Sequence, residues 1–261
     1  MILAAGLGTR LKPFTDNHPK ALYVVDGKTL LEHAIDHLKS AGIRQIIINV
    51  HHFAGQIVEY LRQFDHFGLQ ISISDETGEL LDTGGGVKKA GWFFQNCDCA
   101  IIRNVDIISD LDLVRFSAHQ LETGALATLA VRKRETSRYF LFNQDMQLCG
   151  WENRKTGERI LVDESANFES DHSFTELNPY LESKAGTKPD PAFSTENIPC
   201  IGSLNSYAFS GIQALSPEIF PLIHEEGKFS LTNLYLRLAK DKKISGYLED
   251  GVVWQDAGRL I

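Results

Sequence analysis

The first residues with a clear chemical role follow the opening apolar stretch of the chain. Residues 2–5 lead into two glycines, Gly6 and Gly8, and two cations, Arg10 and Lys20, follow soon after. Glycines behind a buried strand let the backbone turn tightly and point N–H groups at an anion. Arginine and lysine beside such a turn match the charge of a polyphosphate. The stretch therefore predicts a loop that binds a phosphorylated ligand.

Two common nucleotide motifs do not describe this loop. A dinucleotide fingerprint needs a third glycine, an early helix and an acidic residue after the next strand. The chain has Leu11 at the position of the third glycine, Pro13 where the helix should begin, and His51 in place of an acid after the next strand. A Walker A loop needs G-x-x-x-x-G-K-[ST], and the sequence does not contain it. The phosphate chemistry therefore belongs to another class of site.

Two aspartates stand beside predicted strand ends. Asp106 follows the buried stretch 100–103, and Asp256 lies in Trp-Gln-Asp-Ala-Gly at 254–258. An aspartate directly after a strand is by itself more often a cap or turn residue than a metal ligand.

Other polar pairs have ordinary structural interpretations. Asp110 and Asp112 resemble a metal pair, but Asp110 is interpreted as the N-cap of the following helix. His51 and His52 are neighbours on an extended strand, so their side chains point to opposite sides and do not form a metal site.

Alternating strands and helices through about residue 135 must position these groups. Continuous or alternating apolar stretches predict strands, and apolar residues at helical spacing predict helices. The first predicted helix begins with a capping box of Thr29 and Glu32 and ends at Gly42. The strands are expected at 2–5, 45–50, 70–74, 100–103 and 125–131, and the helices at 29–41, 54–64, 87–94 and 110–121. This pattern predicts an α/β, Rossmann-like three-layer sandwich with a mostly parallel central sheet. Ligands bind such sheets beyond the carboxyl ends of the strands.

The second half of the chain is less regular. A hairpin is predicted over 139–151, turning at 143–145, followed by a polar, irregular insertion over 155–205. A strand is expected at 206–212, a short proline-started helix at 216–223, a longer helix at 230–242, and a final hairpin over 246–258. We interpret 1–261 as one domain, because no linker or repeat divides it.

Composition excludes several functional classes. The net charge is −8, which argues against a nucleic-acid binder. Four cysteines at 97, 99, 149 and 200 form neither a disulfide framework nor a zinc pattern, so free thiols in a reducing compartment are expected. No apolar stretch reaches the roughly 20 residues of a membrane span, and the opening stretch is not a signal peptide. The sequence therefore predicts a cytoplasmic protein without a membrane partner.

The chain resembles the sugar-1-phosphate nucleotidyltransferase family. That family's signature is L-A-A-G-x-G-T-R-L-x-P-[LF]-T-x-x-x-P-K-x-L, and the chain carries it from Leu3 to Leu22. Thr83-Gly84-Gly85-Gly86 is similar to a segment of the branch that includes N-acetylmuramate-1-phosphate uridylyltransferases. Asn104-Val105-Asp106 stands where the family has N-G-D, and the segments at 210–212 and 254–258 resemble its sugar-side and last metal-side segments. The resemblance covers most of the chain except 155–205.

The resemblance implies a nucleotide-diphospho-sugar transferase fold and a reaction. A sugar-1-phosphate oxygen attacks the α-phosphorus of a nucleoside triphosphate, with UTP favoured, and pyrophosphate leaves. It implies a nucleotide-binding core at 1–135, a smaller sugar-side subregion at 139–230, and a segment at 231–261 that returns to the core. A homo-oligomer is compatible with this interpretation.

The resemblance also implies roles for individual residues. Arg10 would hold the β- and γ-phosphates, and Lys20 the α-phosphate. Asp106 and Asp256 would hold the Mg²⁺ ion, which is typically bound by one or two carboxylates together with substrate phosphates. Their positions at a strand end and at the end of a hairpin can converge on one cleft. Ser210 and Gly211 would lie at the sugar. The nucleotide would contact Leu3, Ala4, Ala5, Gly6, Gly8, Thr9, Thr83, Gly84 and Asn104.

Departures from the family pattern keep alternatives open. Val105 replaces the glycine of N-G-D, and a valine does not adopt positive φ cheaply. The last segment reads D-A-G-R-L-I where D-V-G-T-P is common. A nucleotide-sugar-binding regulatory homologue without turnover is one alternative, and a guanylyl- or thymidylyl-transferring enzyme is another. A third is a glycosyltransferase whose D-x-D motif would be Asp110-Leu111-Asp112.

Overall fold

A computed structural model describes residues 1–163, 200 and 203–259. Within them lie five α-helices and fourteen strands, with short 3-10 helices between them. The helices are α1 (Leu30–Ser40), α2 (Ala54–Gln63), α3 (Asp82–Lys89), α4 (Leu113–Thr123) and α5 (Leu231–Leu238). The strands are β1 (Ile2–Leu3), β2 (Val24–Val25), β3 (Lys28–Thr29), β4 (Gln45–Val50), β5 (Gln70–Asp75), β6 (Ala100–Asn104), β7 (Ile107–Ser109), β8 (Ala127–Arg132), β9 (Arg138–Phe142), β10 (Leu148–Asn153), β11 (Glu158–Leu161), β12 (Asn205–Leu215), β13 (Ile244–Leu248) and β14 (Trp254–Asp256).

Ten of these strands form one sheet. Its order is β11-β10-β9-β12-β6-β1-β4-β5, and β8 pairs with β12 on one side and with β13 on the other. The strands β6, β1, β4 and β5 run parallel, whereas β12 pairs antiparallel with β6, β8 and β9. The carboxyl ends of β1 and β6 are therefore adjacent, and the loops that follow them share one edge of the sheet.

Helices cover both faces of this sheet. Successive residues of β6 point to opposite faces, so Ile102 packs with residues of α3 and α5 while Ile101 packs with residues of α1, α2 and α4. Strands buried on both faces explain the continuous apolar segments of the sequence. The predicted α/β three-layer sandwich is confirmed. Among the described residues, no helix has both the length and the apolar character that a bilayer crossing requires.

The first helix begins as the sequence predicted. The Thr29 hydroxyl accepts the Glu32 N–H at 3.1 Å, and the Glu32 carboxylate accepts the Thr29 N–H at 2.6 Å. This reciprocal capping box satisfies two backbone donors at the start of α1.

The N-cap predicted for α4 was wrong by two residues. Asp112, and not Asp110, accepts the N–H groups of Val114 and Arg115, both at 3.0 Å. Asp110 instead accepts the N–H of Val253 at 2.8 Å. Periodicity located the helix, but it did not decide which of two nearby aspartates begins it.

The glycine-rich segment at 83–86 lies inside α3, so this helix begins five residues before the predicted start at 87. A Cβ at Gly84 would lie 2.4 Å from the Phe229 ring, and one at Gly85 would lie 2.4 Å from the Gly227 carbonyl. The glycines therefore allow α3 to pack directly against the backbone that precedes α5. This tertiary contact outweighs the low helix propensity of glycine.

The predicted hairpin over 246–258 was also wrong. β13 pairs parallel with β8, and β14 pairs antiparallel with β7, so the two strands have different partners. Residues 155–163 are not wholly irregular, because β11 pairs with β10 there. The rest of the predicted insertion, at 164–199 and 201–202, lies outside the described residues.

Two of the four cysteines are not free thiols. Cys149 in β10 and Cys200, which lies 51 residues further along, form a disulfide and are both buried. The expectation of four free thiols is thus corrected for this pair, while Cys97 and Cys99 remain free. The spacing of Cys149 and Cys200 contained no sign of the pairing, since 51 positions separate them in the sequence.

Candidate active site

The opening loop runs from β1 into three 3-10 helices, Thr9–Leu11, Phe14–Asp16 and Lys20–Leu22. Gly8 makes the turn with a φ of 63°, a conformation that favours glycine. The Thr15 hydroxyl donates to the Gly8 carbonyl at 3.0 Å and holds the turn closed. The loop therefore presents Arg10 and Lys20 on two short, separately anchored turns.

These two cations meet the two predicted carboxylates. Lys20 Nζ donates to Asp106 Oδ2 in a direct ion pair, and each of these side chains is about nine-tenths buried. Arg10 lies 3.9 Å from Asp106 and 3.7 Å from Asp256, and its side chain remains 55% exposed. Two positive and two negative groups thus form one balanced cluster. The sequence predicted that these residues converge, but not that Lys20 and Asp106 pair directly.

Strand pairing brings the carboxylates together. Asp106 lies in the turn between β6 and β7, and β14 pairs with β7 so that Asp256 stands opposite Ile107. The Ala257 N–H then donates to the Asp106 carbonyl at 2.9 Å. A residue 150 positions away in the sequence is fixed beside Asp106 by three backbone pairs and this hydrogen bond.

Gly258 packs against the centre of this cluster. Its N–H donates to Asp256 Oδ1 at 3.0 Å. A Cβ on this residue would lie 2.9 Å from Asp106 Oδ2, 3.0 Å from Lys20 Nζ and 3.1 Å from an Arg10 nitrogen. The sequence predicted no individual role for Gly258, although it belongs to the last segment of the family resemblance.

A cavity of about 450 Å³ opens beside the charge cluster. Most of the residues predicted to contact a nucleotide line it, together with Lys20 and Asp106. Those residues are Leu3, Ala4, Ala5, Gly6, Gly8, Thr9, Thr83 and Asn104. The remaining one, Gly84, is buried in α3 and packs on Phe229. The cavity wall also includes residues that the sequence did not predict as nucleotide contacts: Leu7, Asn49, Glu76, Leu80, Asp82, Val105 and Lys228.

Two buried polar residues of the cavity were missed. Asn49, in β4, accepts the Ala4 N–H at 2.7 Å and donates to Glu76 at 2.8 Å. Glu76 is 1% exposed, and its second oxygen accepts the Leu81 N–H at 3.2 Å. This network ties the opening loop to the segment before α3. The available signal was an asparagine inside an otherwise apolar strand, with an acid just beyond the next strand.

A second cavity, of about 420 Å³, adjoins the first. The two share Leu3, Asp82, Thr83 and Asn104, so both reach the same edge of β1 and β6. Residues opposite one another on β9, β10 and β11 form one wall. Those residues are the apolar row Phe140, Trp151 and Ile160, and beside it Arg138 and Glu158.

Tyr235 of α5 also lines the second cavity. It is 1% exposed, and its hydroxyl has no hydrogen-bond partner among the described residues. Burial raises the pKa of this phenol, which is therefore a neutral donor. A buried hydroxyl without a partner is costly, so a ligand oxygen placed there would relieve that cost.

Ser210 and Gly211 do not line the second cavity. The Ser210 hydroxyl is fully buried and donates to Glu249, whose pKa is raised by burial. Gly211 packs against Ile107 and Asn104 at the back of the Asp106 turn. On the same strand, Phe209 and Gln213 are the residues that face the cavity.

The other polar pairs lie away from the charge cluster. Asp110 and Asp112 line a third, more open cavity with His33 and His37. The His51 Nδ1–H donates to the Glu76 carbonyl at 2.6 Å, so this histidine has a structural partner. Asp110 and Asp112 accept backbone N–H groups, so these two carboxylates and His51 all bond to the backbone.

The donor set at the cluster fits Mg²⁺. Asp106 and Asp256 offer carboxylate oxygens, and both lie against the same arginine. Within residues 1–163, 200 and 203–259, no group of three or more His, Cys, Asp or Glu residues could enclose a metal ion. Two carboxylates without a cage suit an ion that completes its shell with water and substrate phosphates.

Comparison with known proteins agrees with this geometry. Residues 1–148, more than half of the chain, match the family model described as nucleotidyl transferase. An N-acetylmuramate alpha-1-phosphate uridylyltransferase from Caulobacter vibrioides is 48% identical over 92 residues, which cover 34% of this chain and 38% of that protein. The chain thus matches less than half of that relative's length.

Two further similarities extend over the full length. An N-acetylmuramate alpha-1-phosphate uridylyltransferase from Neisseria meningitidis serogroup B is 26% identical over 260 residues, covering 100% of this chain and 93% of that protein. The solved structure of a UDP-glucose pyrophosphorylase complexed with UDP-glucose superposes with a TM-score of 0.69 at 15% identity. That superposition covers 98% of this chain and 92% of the other, and it supports the fold.

Proposed function

Since the chain belongs to the nucleotidyl transferase family, we propose that it joins a nucleoside triphosphate to a sugar-1-phosphate. The observation that carries this proposal is the meeting of Arg10, Lys20, Asp106 and Asp256 beside two adjoining cavities. Two anionic substrates need cations between them, and two cavities that share a wall can hold two substrates with their phosphates in contact.

The nucleotide occupies the first cavity in this proposal. Backbone groups of the opening loop and the side chain of Thr83 surround base and ribose, and the triphosphate extends toward Arg10. Asn49 and Glu76 hold the loop in place through the Ala4 N–H. The fixed N–H groups of such a loop bind phosphate without reorganising, because the fold has already oriented them.

The transfer is one in-line displacement. An oxygen of the sugar phosphate forms a bond to the α-phosphorus, the bond from that phosphorus to the bridging oxygen of the β-phosphate breaks, and pyrophosphate leaves with the electron pair. Lys20 stabilises the charge on the α-phosphate, and Arg10 binds the departing pyrophosphate. Asp106 and Asp256 would hold Mg²⁺, which when bound neutralises phosphate charge. The rest of the catalysis is positioning.

The sugar occupies the second cavity. The apolar row formed by Phe140, Trp151 and Ile160 would pack against the ring and its apolar substituents, and the Tyr235 hydroxyl would bind a sugar oxygen. We favour UTP with N-acetylmuramate-1-phosphate, because the relatives in Caulobacter and Neisseria bear that name. A muramic acid carries a carboxylate, and Arg138 on the cavity wall would pair with it. Guanylyl and thymidylyl transfer remain alternatives for the base.

A substrate screen tests the proposal. Purified protein with Mg²⁺ is incubated with each of the four triphosphates and with the 1-phosphates of N-acetylmuramate, N-acetylglucosamine, glucose and mannose. Pyrophosphate and nucleotide sugar are both quantified. We expect equal amounts of the two products, largest with UTP and N-acetylmuramate-1-phosphate. A folded protein that forms neither product from any pair would refute the enzymatic function.

The regulatory alternative loses one of its two supports. It rested on Val105 in place of glycine and on the altered last segment, but the Val105 φ is not in the positive region, so the valine causes no backbone strain there. Its side chain is 4% exposed and belongs to the core on the α1 face. The substitution is therefore compatible with an unaltered Asp106 turn.

A further inference from the structure

Arg103 lies directly behind the charge cluster, on the strand that carries it. It is paired between Ile2 of β1 and Ile212 of β12 and is 1% exposed. Its side chain shares the α1 face of the sheet with Ile101 and is surrounded by apolar residues. A buried guanidinium is unusual in such surroundings, since it must be compensated by hydrogen bonds and charge.

The guanidinium spans the turn that holds Asp106. Its NH2 group donates to the Ile107 carbonyl, so the side chain closes a loop over residues 104–106. Asp106 is also the residue whose charge favours the protonated form of Arg103. Burial lowers the pKa of Arg103 to about 10, which leaves it charged at neutral pH. The cation thus faces the turn from inside while Lys20 pairs with Asp106 from outside.

His37 of α1 supplies the second acceptor for this guanidinium. Its Nε2 lies 2.8 Å from the Leu111 carbonyl, so this nitrogen must carry the proton and donate. Nδ1 is then the lone-pair nitrogen and accepts from Arg103 NH1 at 2.6 Å. Burial, followed by the charge of Arg103, lowers the pKa of His37 to about 4, which keeps the ring in this neutral form. The ring therefore links Arg103 to the segment before α4.

We propose that Arg103 and His37 form a positioning pair that sets the Asp106 turn for nucleotidyl transfer. The two residues touch neither cavity that would hold substrate. They act through the turn, whose backbone is otherwise held by the bonds from Val105 N–H to the Leu3 carbonyl and from Ala257 N–H to the Asp106 carbonyl. The part of this inference that concerns catalysis rests on the proposed function; the part that concerns the turn does not.

Amide hydrogen exchange tests the turn directly. We expect Arg103→Met and His37→Phe to raise the exchange rates of the Val105 and Ala257 amides by about tenfold or more, because local opening becomes easier. The matched control is His33→Gln, since His33 is also on α1 and also bonds a carbonyl, that of Val25 at 2.9 Å, without reaching Arg103. It should leave both amides unchanged.

Kinetics test the consequence for the reaction. Loss of a residue that orients a metal-binding carboxylate costs about 10- to 100-fold in metal affinity or activity. Arg103→Met and His37→Phe should lower kcat and raise the Mg²⁺ concentration needed for half-maximal rate, with less effect on the KM for the sugar phosphate. Arg103→Lys should restore part of the activity, because it keeps the charge and one donor.

The outcomes separate the two claims. Unchanged exchange at the turn in both variants, or equal acceleration across the whole sheet, would overturn the positioning pair. Activity within twofold of wild type in both folded variants would also overturn it. A wild-type protein without activity whose turn still opens in the variants would refute the proposed function while leaving the structural role of the pair intact.

Discussion

The substitution Gly258→Ala perturbs the charge cluster with a single methyl group. The new Cβ would lie 2.9–3.1 Å from the nearest atoms of Asp106, Lys20 and Arg10, whereas ordinary contact begins at 3.4 Å. To reach ordinary contact, the Asp106 carboxylate must recede by about half an ångström. Because this side chain is short and its turn is anchored, the shift moves the carboxylate oxygens away from their positions in the cluster. Lys20 and Arg10 have longer side chains and can move with less cost.

The expected effect is on the rate and not on the stability. Misplacing reacting groups by about 1 Å can cost about 100-fold in rate, so a shift of half that size should lower kcat by roughly ten- to a hundredfold. Gly258 does not have a positive φ, so alanine causes no backbone strain, and the unfolding free energy should change by less than about 1 kcal/mol.

The assay combines steady-state kinetics with denaturant unfolding. Gly55→Ala is the matched control, since a Cβ in that α2 position meets nothing within 4 Å. It should keep full activity and gain about 0.5–1 kcal/mol of stability. Full activity in Gly258→Ala would show that transfer does not depend on the close packing of this cluster. A loss of folding in this variant would contradict the expectation that the cluster accommodates the methyl group with little change in stability.

Three further predictions concern other parts of the molecule. The fold keeps His37 neutral with a pKa of about 4, so as the pH is lowered the unfolded chain binds the proton before the folded protein does. The unfolding free energy should therefore fall as the pH is lowered from about 6.5 to 4, and at pH 5 it should be about 2 kcal/mol below its value at pH 7. Urea unfolding at both pH values checks this, and an equal fall in His37→Gln would contradict it. The double variant Cys149→Ser/Cys200→Ser should lose about 2–4 kcal/mol of stability, and alkylation of the unreduced, denatured wild type should label two cysteines and not four. Arg138→Met should raise the KM for a carboxylate-bearing sugar phosphate by about tenfold but leave that for glucose-1-phosphate nearly unchanged, and equal increases would remove Arg138 as a specificity residue.

The parts of the fold that were predictable are those with local signals. Continuous apolar segments located β4 and β6, and the capping box located the start of α1. The glycine turn located the opening loop as a phosphate-binding segment, and the family resemblance added the other residues predicted for the first cavity. Family resemblance added Asp256, whose position depends on the pairing of β14 with β7.

The parts that could not be predicted depend on distant contacts. Nothing near Gly84 in the sequence shows that α3 packs on the backbone at Phe229, and nothing near Cys149 shows its partner. The buried roles of Asn49, Glu76 and Arg103 are likewise set by residues from other elements. A polar side chain inside an apolar strand is the one local sign that such a role exists.

The most direct test of the proposed site compares Asp106→Asn with Asp112→Asn in the transfer assay, with pyrophosphate and nucleotide sugar both measured. The two substitutions remove the same charge, but Asp112 caps α4, a role that asparagine also fills well. We predict that Asp106→Asn lowers transfer by at least about 100-fold while Asp112→Asn stays close to wild type. Loss of transfer in Asp112→Asn with activity retained in Asp106→Asn would place the chemistry at the D-x-D segment and contradict the proposed site.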